Sequence, residues 1–393
     1  MTALRILAVA GCRPNFVKLG PLLAEARRHD GIEALLVHTG QHYDRRLSGV
    51  FFRDLGLPEP DVHLEVGSAS HAVQTARVME RMEAVLLERR PDLVLVVGDV
   101  NSTVAASLTA VKLGFPVAHV EAGLRSFDRE MPEEVNRLLT DAVSDYLFAT
   151  ERSAVENLRR EGFADERVHL VGNVMVDALL GNLETIARAA TRRRWDLDRR
   201  GYAVLTLHRP ENVDDPAAAG GVLAAVRELQ SHLPVVFPVH PRTRERFRRM
   251  DLWRHLEGGS GLLLAEPMGY VEFLGLVRDA ALVLTDSGGL QEETTVLGVP
   301  CLTLRPGTER PATVAEGTNR IAGRDPEAVV REALAALDGA GAREAGTAGR
   351  VPELWDGRAA ERIVNVLLRD AEEIRALHRS LRERAACRPA SAA

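Results

Sequence analysis

The stretch 93–137 constrains the fold more than any other part of this 393-residue chain. Two apolar runs, Leu93-Val-Leu-Val-Val97 and Pro116-Val-Ala-His-Val120, stop at Gly98-Asp99 and at Glu121-Ala-Gly-Leu-Arg125. A third acidic cluster, Met131-Pro-Glu-Glu-Val-Asn-Arg137, opens the next helix. Short unbroken apolar runs bounded by Gly and Pro are the pattern of parallel strands buried on both faces. In open α/β sheets ligands bind beyond the carboxyl ends of such strands, so three sets of carboxylates collect where a ligand would lie.

The rest of the chain keeps the same rhythm. Residues 5–10 read as a strand ending in Gly11-Cys12-Arg13-Pro14, and 33–39 as a strand ending in Gly40-Gln-His-Tyr-Asp44. Val73, Ala76, Val78, Met79, Met82, Val85 and Leu86 recur at helical spacing and predict an amphipathic helix over 71–89. Strands follow at 146–149 and 168–171. After a basic linker, 192–200, a second series has strands at 202–207, 234–239, 261–265, 281–285 and 299–303. This alternation predicts doubly wound parallel sheets, and the length exceeds what one core usually holds. The expected organisation is an α/β chain of two Rossmann-like domains, 1–172 and 173–357, facing each other across a cleft. A single long helix from about 358 to 384 would return to the first domain, with a frayed tail to 393.

Within that frame the sharpest turn is Thr285-Asp-Ser-Gly-Gly-Leu-Gln-Glu-Glu293. A strand runs into Ser287, Gly288 and Gly289 let backbone approach a ligand, and the helix that follows presents free N–H groups, which suits a diphosphate. Glu292 and Glu293, one turn on, suit ribose hydroxyls. Arg13 and Lys18 at the first helix make a second anion site, and His208 and His240 both follow strands of the second series. No Gly-x-Gly-x-x-Gly follows any strand, and neither a Walker loop nor a His/Cys array is present, so neither a dinucleotide cofactor nor a metal is indicated.

Composition closes off other classes. A net charge of −6, with basic runs only in the linker, argues against nucleic acid. Cys12, Cys301 and Cys387 lie far apart, unlike a disulfide framework or zinc site. No run approaches the roughly 20 apolar residues that span a bilayer, and the amino terminus reads as strand, not signal peptide; a cytoplasmic protein with no membrane partner is expected.

Taken together, Arg13-Pro-Asn-Phe-Val-Lys18, Gly40-Gln-His-Tyr-Asp44, Gly98-Asp99, His119-Val-Glu-Ala-Gly-Leu-Arg125, Pro132-Glu-Glu-Val-Asn-Arg137, His208-Arg-Pro-Glu-Asn212, Pro238-Val-His-Pro241, Asp286-Ser-Gly-Gly-Leu-Gln-Glu-Glu293 and Thr308-Glu-Arg-Pro311 closely resemble the non-hydrolysing UDP-N-acetylglucosamine 2-epimerases, in order over roughly 4–370. The resemblance implies the GT-B fold, a UDP-sugar substrate and a homodimer. It would make Asp99, Glu121 and Glu133 acid/base carboxylates and put His208 at the glycosyl phosphate. It would set Arg13, Lys18, Arg137 and Arg310 around substrate anions, Ser287, Gly288 and Gly289 at the diphosphate, and Glu293 at the ribose. Phe273 and the backbone near Met268 match its uracil-binding segment, and His240 joins the substrate-binding set.

Gln41 and His42 fall in the segment that in many bacterial members holds a second UDP-N-acetylglucosamine as activator. Here Tyr43-Asp44 follows, where a polar pair and Met are more usual. Cys12 replaces the family's usual Thr and Asn15 a common Glu. The expected reaction is reversible C2 epimerisation of UDP-N-acetylglucosamine to UDP-N-acetylmannosamine, through UDP elimination to 2-acetamidoglucal and re-addition. The rivals are a GT-B glycosyltransferase, a hydrolysing 2-epimerase that releases N-acetylmannosamine, and a non-enzymatic UDP-sugar binder.

Overall fold

The computed structural model describes residues 2–40, 57–256, 261–343 and 351–386. The chain divides into two compact units, Met1–Leu180 with Glu353–Ala393, and Gly181–Pro352.

The first unit is built on seven parallel strands: β1 (Leu4–Ala10), β2 (Ile32–His38), β3 (Val62–His63), β4 (Leu93–Val97), β5 (Val117–Ala122), β6 (Tyr146–Ala149) and β7 (Val168–Leu170), in the order β3-β2-β1-β4-β5-β6-β7. Every residue of β4 and β5 is buried, as expected of central strands covered on both faces. The order reverses between β1 and β4, which sets the loops after those strands at the switch point.

The helix His71–Arg89 forms over the residues that its spacing predicts, but its buried face is Gln74, Val78, Met82, Val85 and Leu86, while Val73 is 44% exposed. The apolar stripe is rotated, because Gln74 is needed inside: its amide donates to Gly67 O (3.2 Å) and its carbonyl accepts from Asn101 (2.9 Å).

The carboxyl-terminal segment packs onto this same unit. Trp355 donates from its indole to Thr150 O (3.0 Å), and the Asp177 carboxylate accepts from the amides of Ala359 (3.1 Å) and Ala360 (2.7 Å), capping the helix Ala359–Arg369. The expected single helix breaks at Asp370, and a second, Ala371–Ala386, begins there. It is tied down by Arg375, which donates to Thr2 O (2.6 Å), and by the His378 ring 5.0 Å from that of Phe115.

The second unit repeats the plan with six parallel strands, β8 (Ala203–Thr206), β9 (Val235–Pro238), β10 (Leu262–Ala265), β11 (Leu282–Thr285), β12 (Cys301–Thr303) and β13 (Asn319–Ile321), ordered β10-β9-β8-β11-β12-β13. Its core gathers Leu205, Val226, Phe237, Phe247, Leu284 and Leu302. The reversal lies between β8 and β11, so the loops after Thr206 and Thr285 flank the switch point. Among the described residues no helix is long and apolar enough to cross a membrane.

Candidate active site

In the first unit the loops after β1, β4 and β5 carry the predicted groups. The turn after β1 is held by Asn15: its side-chain oxygen accepts from the amides of Gly11 (2.9 Å) and Cys12 (3.1 Å), and its nitrogen donates to Val97 O at the end of β4 (3.0 Å). Cys12 beside it is a thiol, pushed up to about 11 by burial. Arg13, next in the chain, is exposed.

Gly98 turns the chain out of β4 with φ +67°, and a Cβ there would stand 3.0 Å from Lys18 Nζ and 3.2 Å from Glu121 Oε2. Only glycine meets both demands. Asp99 follows, and its carboxylate pairs with Arg137 (2.5 Å). Glu121 interrupts β5 with φ +73°, and the pairing of β5 with β6 shifts register between Val120 and Ala122. Such a bulge re-aims a side chain, and here it sets the Glu121 carboxylate, 3% exposed, against the ammonium of Lys18.

The two neighbouring glutamates of the third acidic cluster have different surroundings. Glu134 is 2% exposed and accepts from the amides of Ser126 (2.9 Å) and Phe127 (3.0 Å) and from Arg137 Nε (2.9 Å) and a terminal guanidinium nitrogen (2.7 Å). Burial raises its carboxyl, but those donors outweigh it and hold the group below the usual range. Glu133 is half-buried on the first turn of the helix Pro132–Val143. Arg137, expected beside substrate anions, is 2% exposed and lies between Glu134 and Asp99. Sequence reading gave no role to Asn136, whose amide donates to Asp99 O (2.9 Å). The resemblance singled out Glu133, but the adjoining PEEVNR letters carry no sign that Glu134 is the carboxylate that turns inward.

In the second unit Asp286 is fully buried and accepts from the amides of His208 (3.0 Å) and Arg209 (3.0 Å), the Asn212 side chain (3.2 Å) and His208 Nδ1 (2.9 Å). Burial raises its carboxyl, and His208 with these amides brings it below the ordinary value. The contact fixes the imidazole with Nδ1 on Asp286, and the His208 side chain keeps 40% exposure. His240 is exposed, and its Nδ1 accepts from the Arg242 amide (3.3 Å) at the start of the helix Pro241–Arg249; its ring lies 6.4 Å from that of His208.

Ser287 stands at the N-cap position of the helix Gly288–Leu297, and its amide donates to Thr285 Oγ1 (3.0 Å). A Cβ at Gly288 would crowd an Arg310 guanidinium nitrogen and stand 2.7 Å from Glu309 Oε1, so a larger residue there must displace one or both of these side chains. Arg310, 6% exposed, pairs with Glu292 (2.8 Å) and Glu309 (2.5 Å). Gly289 and Ser287 are half-buried beside it. Glu293 is 6% exposed; burial, offset in part by the Tyr270 hydroxyl and reinforced by the charge of Glu292, pushes it up to about 8. Phe273 is half-buried on the helix Tyr270–Arg278, and Met268 is half-buried in the stretch before it. Gln41 and His42 lie outside the described residues.

Comparison with known proteins agrees with the motifs. The pattern of the UDP-N-acetylglucosamine 2-epimerase family matches residues 24–368. The UDP-N-acetylglucosamine 2-epimerase of Methanococcus maripaludis is 42% identical over 331 residues, 83% of this chain and 90% of that relative. The UDP-2,3-diacetamido-2,3-dideoxy-D-glucuronate 2-epimerase of Pseudomonas aeruginosa is 40% identical over 337 residues, 85% of this chain and 92% of that one. Among solved structures, the Methanocaldococcus jannaschii UDP-GlcNAc 2-epimerase, in complex with UDP-GlcNAc and UDP, has a TM-score of 0.86 at 39% identity and covers 93% of this chain and 99% of its own. Two doubly wound parallel sheets in one chain are the plan of the GT-B class.

Proposed function

The chain belongs to the UDP-N-acetylglucosamine 2-epimerase family, and we propose that it interconverts UDP-N-acetylglucosamine and UDP-N-acetylmannosamine without hydrolysing either. The observation that carries this reading is the pair Asp99 and Glu121, at the carboxyl ends of the adjacent parallel strands β4 and β5, each carboxylate against a buried cation.

The C2 hydrogen of an N-acetyl sugar has no neighbouring carbonyl, so simple deprotonation is too costly. The lower route takes the C2 proton onto a carboxylate while the C1–O bond breaks, its electron pair leaving on the β-phosphate oxygen and a C1=C2 bond forming. The resulting 2-acetamidoglucal is then protonated at C2 from the opposite face as UDP oxygen attacks C1. Asp99, Glu121 and Glu133 supply the proton transfers, which need one group on each face. Ser287, Gly288 and Gly289, with Arg13 and Arg310, offset the charge that gathers on the departing diphosphate. His208, its Nδ1 held by Asp286, presents its other nitrogen to the glycosyl phosphate.

Residues 1–172 thus carry the acid/base side and 173–357 the UDP side, where Glu293 meets the ribose, Met268 and Phe273 the uracil, and His240 the nucleotide sugar. Lys18 and Arg137 tune the carboxylates beside them. The enzyme works as a cytoplasmic homodimer, the state the motif resemblance implies.

Incubation with UDP-N-acetylglucosamine in heavy water, read by NMR, tests the reading. Both UDP-sugars should reach a stable ratio with deuterium at C2. Product without label would refute the route. Free N-acetylmannosamine with UDP would mean hydrolysis, turnover only with an acceptor would mean a glycosyltransferase, and binding without turnover a UDP-sugar receptor. Running UDP-2,3-diacetamido-2,3-dideoxy-D-glucuronate in parallel tells which sugar is preferred.

A further inference from the structure

β5 is apolar except for its last acid and one imidazole, His119, which is fully buried. A ring so placed needs partners on both nitrogens. His119 Nε2 lies 2.9 Å from Gly98 O and Nδ1 lies 2.6 Å from Asp141 Oδ1. Both partners accept: one is a backbone carbonyl, and the other a carboxyl that burial raises but that His119 and Arg125 bring below its ordinary value. The ring therefore bridges the Gly98 carbonyl and the Asp141 carboxylate. The other Asp141 oxygen accepts from the Gly123 amide (3.0 Å) and Arg125 (2.7 Å), and Arg125 continues to Glu161 through two bonds of 2.8 and 2.7 Å.

One buried carboxylate on the helix Pro132–Val143 thus grips the loop after β5 directly and the loop after β4 through the His119 ring. Asp99 lies on the second of these loops, and Glu121 is the penultimate residue of β5, two before the Gly123 amide that Asp141 holds. Glycine takes the left-handed turn at Gly98 (φ +67°) freely, whereas the same conformation at Glu121 (φ +73°) persists only where the surroundings over-determine it. We propose that His119 is a positioning residue of the epimerisation, the strut by which Asp141 sets the Asp99 loop in register with the bulge at Glu121. The inference rests on the reading of Asp99 and Glu121 as the acid/base pair.

Two substitutions separate the bonds of the ring. The amide nitrogen of His119→Asn falls near Nδ1 and keeps Asp141 but loses Gly98, whereas that of His119→Gln falls near Nε2 and keeps Gly98. In the full-length protein, His119→Asn should lower kcat about 10- to 100-fold, leave KM and UDP affinity within about threefold, and speed amide hydrogen exchange at 98–101 but not at 122–125. His119→Gln cuts the strut at its Asp141 end, so Gly98 is held by a side chain that Asp141 no longer fixes, and kcat should likewise fall about 10- to 100-fold. A role in stability alone predicts loss of Tm in both variants with unchanged kcat per folded molecule; that result, or a full kcat in either variant, overturns the inference. The wild type in the same assay separates the two readings. Wild-type turnover with an unimpaired His119→Asn removes only the strut, while a wild type that turns over no UDP-sugar removes the acid/base assignment and the strut with it.

Discussion

Glu293 gives a prediction whose size follows from its surroundings. It is 6% exposed, and its carboxyl stands at about 8 instead of 4.5, burial being the largest cause, the Tyr270 hydroxyl opposing it and Glu292 adding to it. Between these two values the folded chain holds a proton that the unfolded chain has released, so stability must fall as pH rises, by about 1.4 kcal/mol per pH unit. From pH 6 to pH 8 the loss is about 2 kcal/mol. For a unit the size of Gly181–Pro352 that corresponds to roughly 4–8 °C in Tm. Glu293→Gln keeps the shape and cannot ionise, so its unit should lack this slope.

The assay is calorimetry of wild type and Glu293→Gln at pH 6, 7 and 8, following the transition of the second unit, since a chain of two units need not unfold in one step. Other titrating groups act alike in both proteins, so the gap between them isolates Glu293 and should widen in favour of the variant as pH rises. Parallel curves would refute the reasoning. A linked result concerns the nucleotide. Ribose hydroxyls donate to a carboxylate, so UDP binding at pH 7 should release a proton and strengthen towards pH 8. Binding heats measured in buffers of different ionisation enthalpy would show it.

Asp99→Asn and Glu121→Gln should each lower kcat about 100- to 10,000-fold while retaining UDP binding, measured by turnover and calorimetry on folded protein; Glu121→Gln also leaves Lys18 without its buried carboxylate and should lower Tm. Gly288→Ala drives a Cβ into Arg310 and Glu309, an overpacking that costs about 1–3 kcal/mol, and titration should show UDP affinity falling by about tenfold or more. Glu134→Gln breaks a buried pair with Arg137 and should cost about 3–5 kcal/mol in denaturant unfolding. Glu133→Gln next to it should stay within about 0.5 kcal/mol of wild type and lose turnover instead.

The strands were legible because a fully buried parallel strand writes itself as an unbroken apolar run, as at Leu93–Val97, and its end writes itself as the residue that stops the run. Asp99, Glu121, His208 and Ser287 were placed at or just past strand ends that way. What each side chain meets was not legible, because partners come from elsewhere in the sequence: Lys18 reaches Glu121 across 103 residues and His119 reaches Asp141 across 22. The rotation of the helix His71–Arg89 was missed for the same reason, since Gln74 turns inward to satisfy Gly67 and Asn101, an obligation that apolar periodicity cannot register. The break at Asp370 interrupts a polar stretch in which every residue tolerates a helix, so composition carried no signal of it.

Asp286 raises a question that the turn after β11 must answer, because a carboxylate is a poor neighbour for a diphosphate. Its full burial and its four donors resolve this. Two backbone amides, the Asn212 amide and the His208 ring engage it, so little of its charge is left to repel an anion at Ser287. In return it pins the loop after β8 to the loop after β11, across the point where strand order reverses. Asn15 does the same in the first unit, joining the turn after β1 to the end of β4. Each unit thus fixes its switch point with one buried polar side chain and leaves the chemistry to the residues on either side. Asp286→Asn keeps the shape but presents an amide nitrogen to at least one of those donors, so it should loosen His208 and the Ser287 turn together. A kcat loss without weaker UDP binding would contradict that shared dependence.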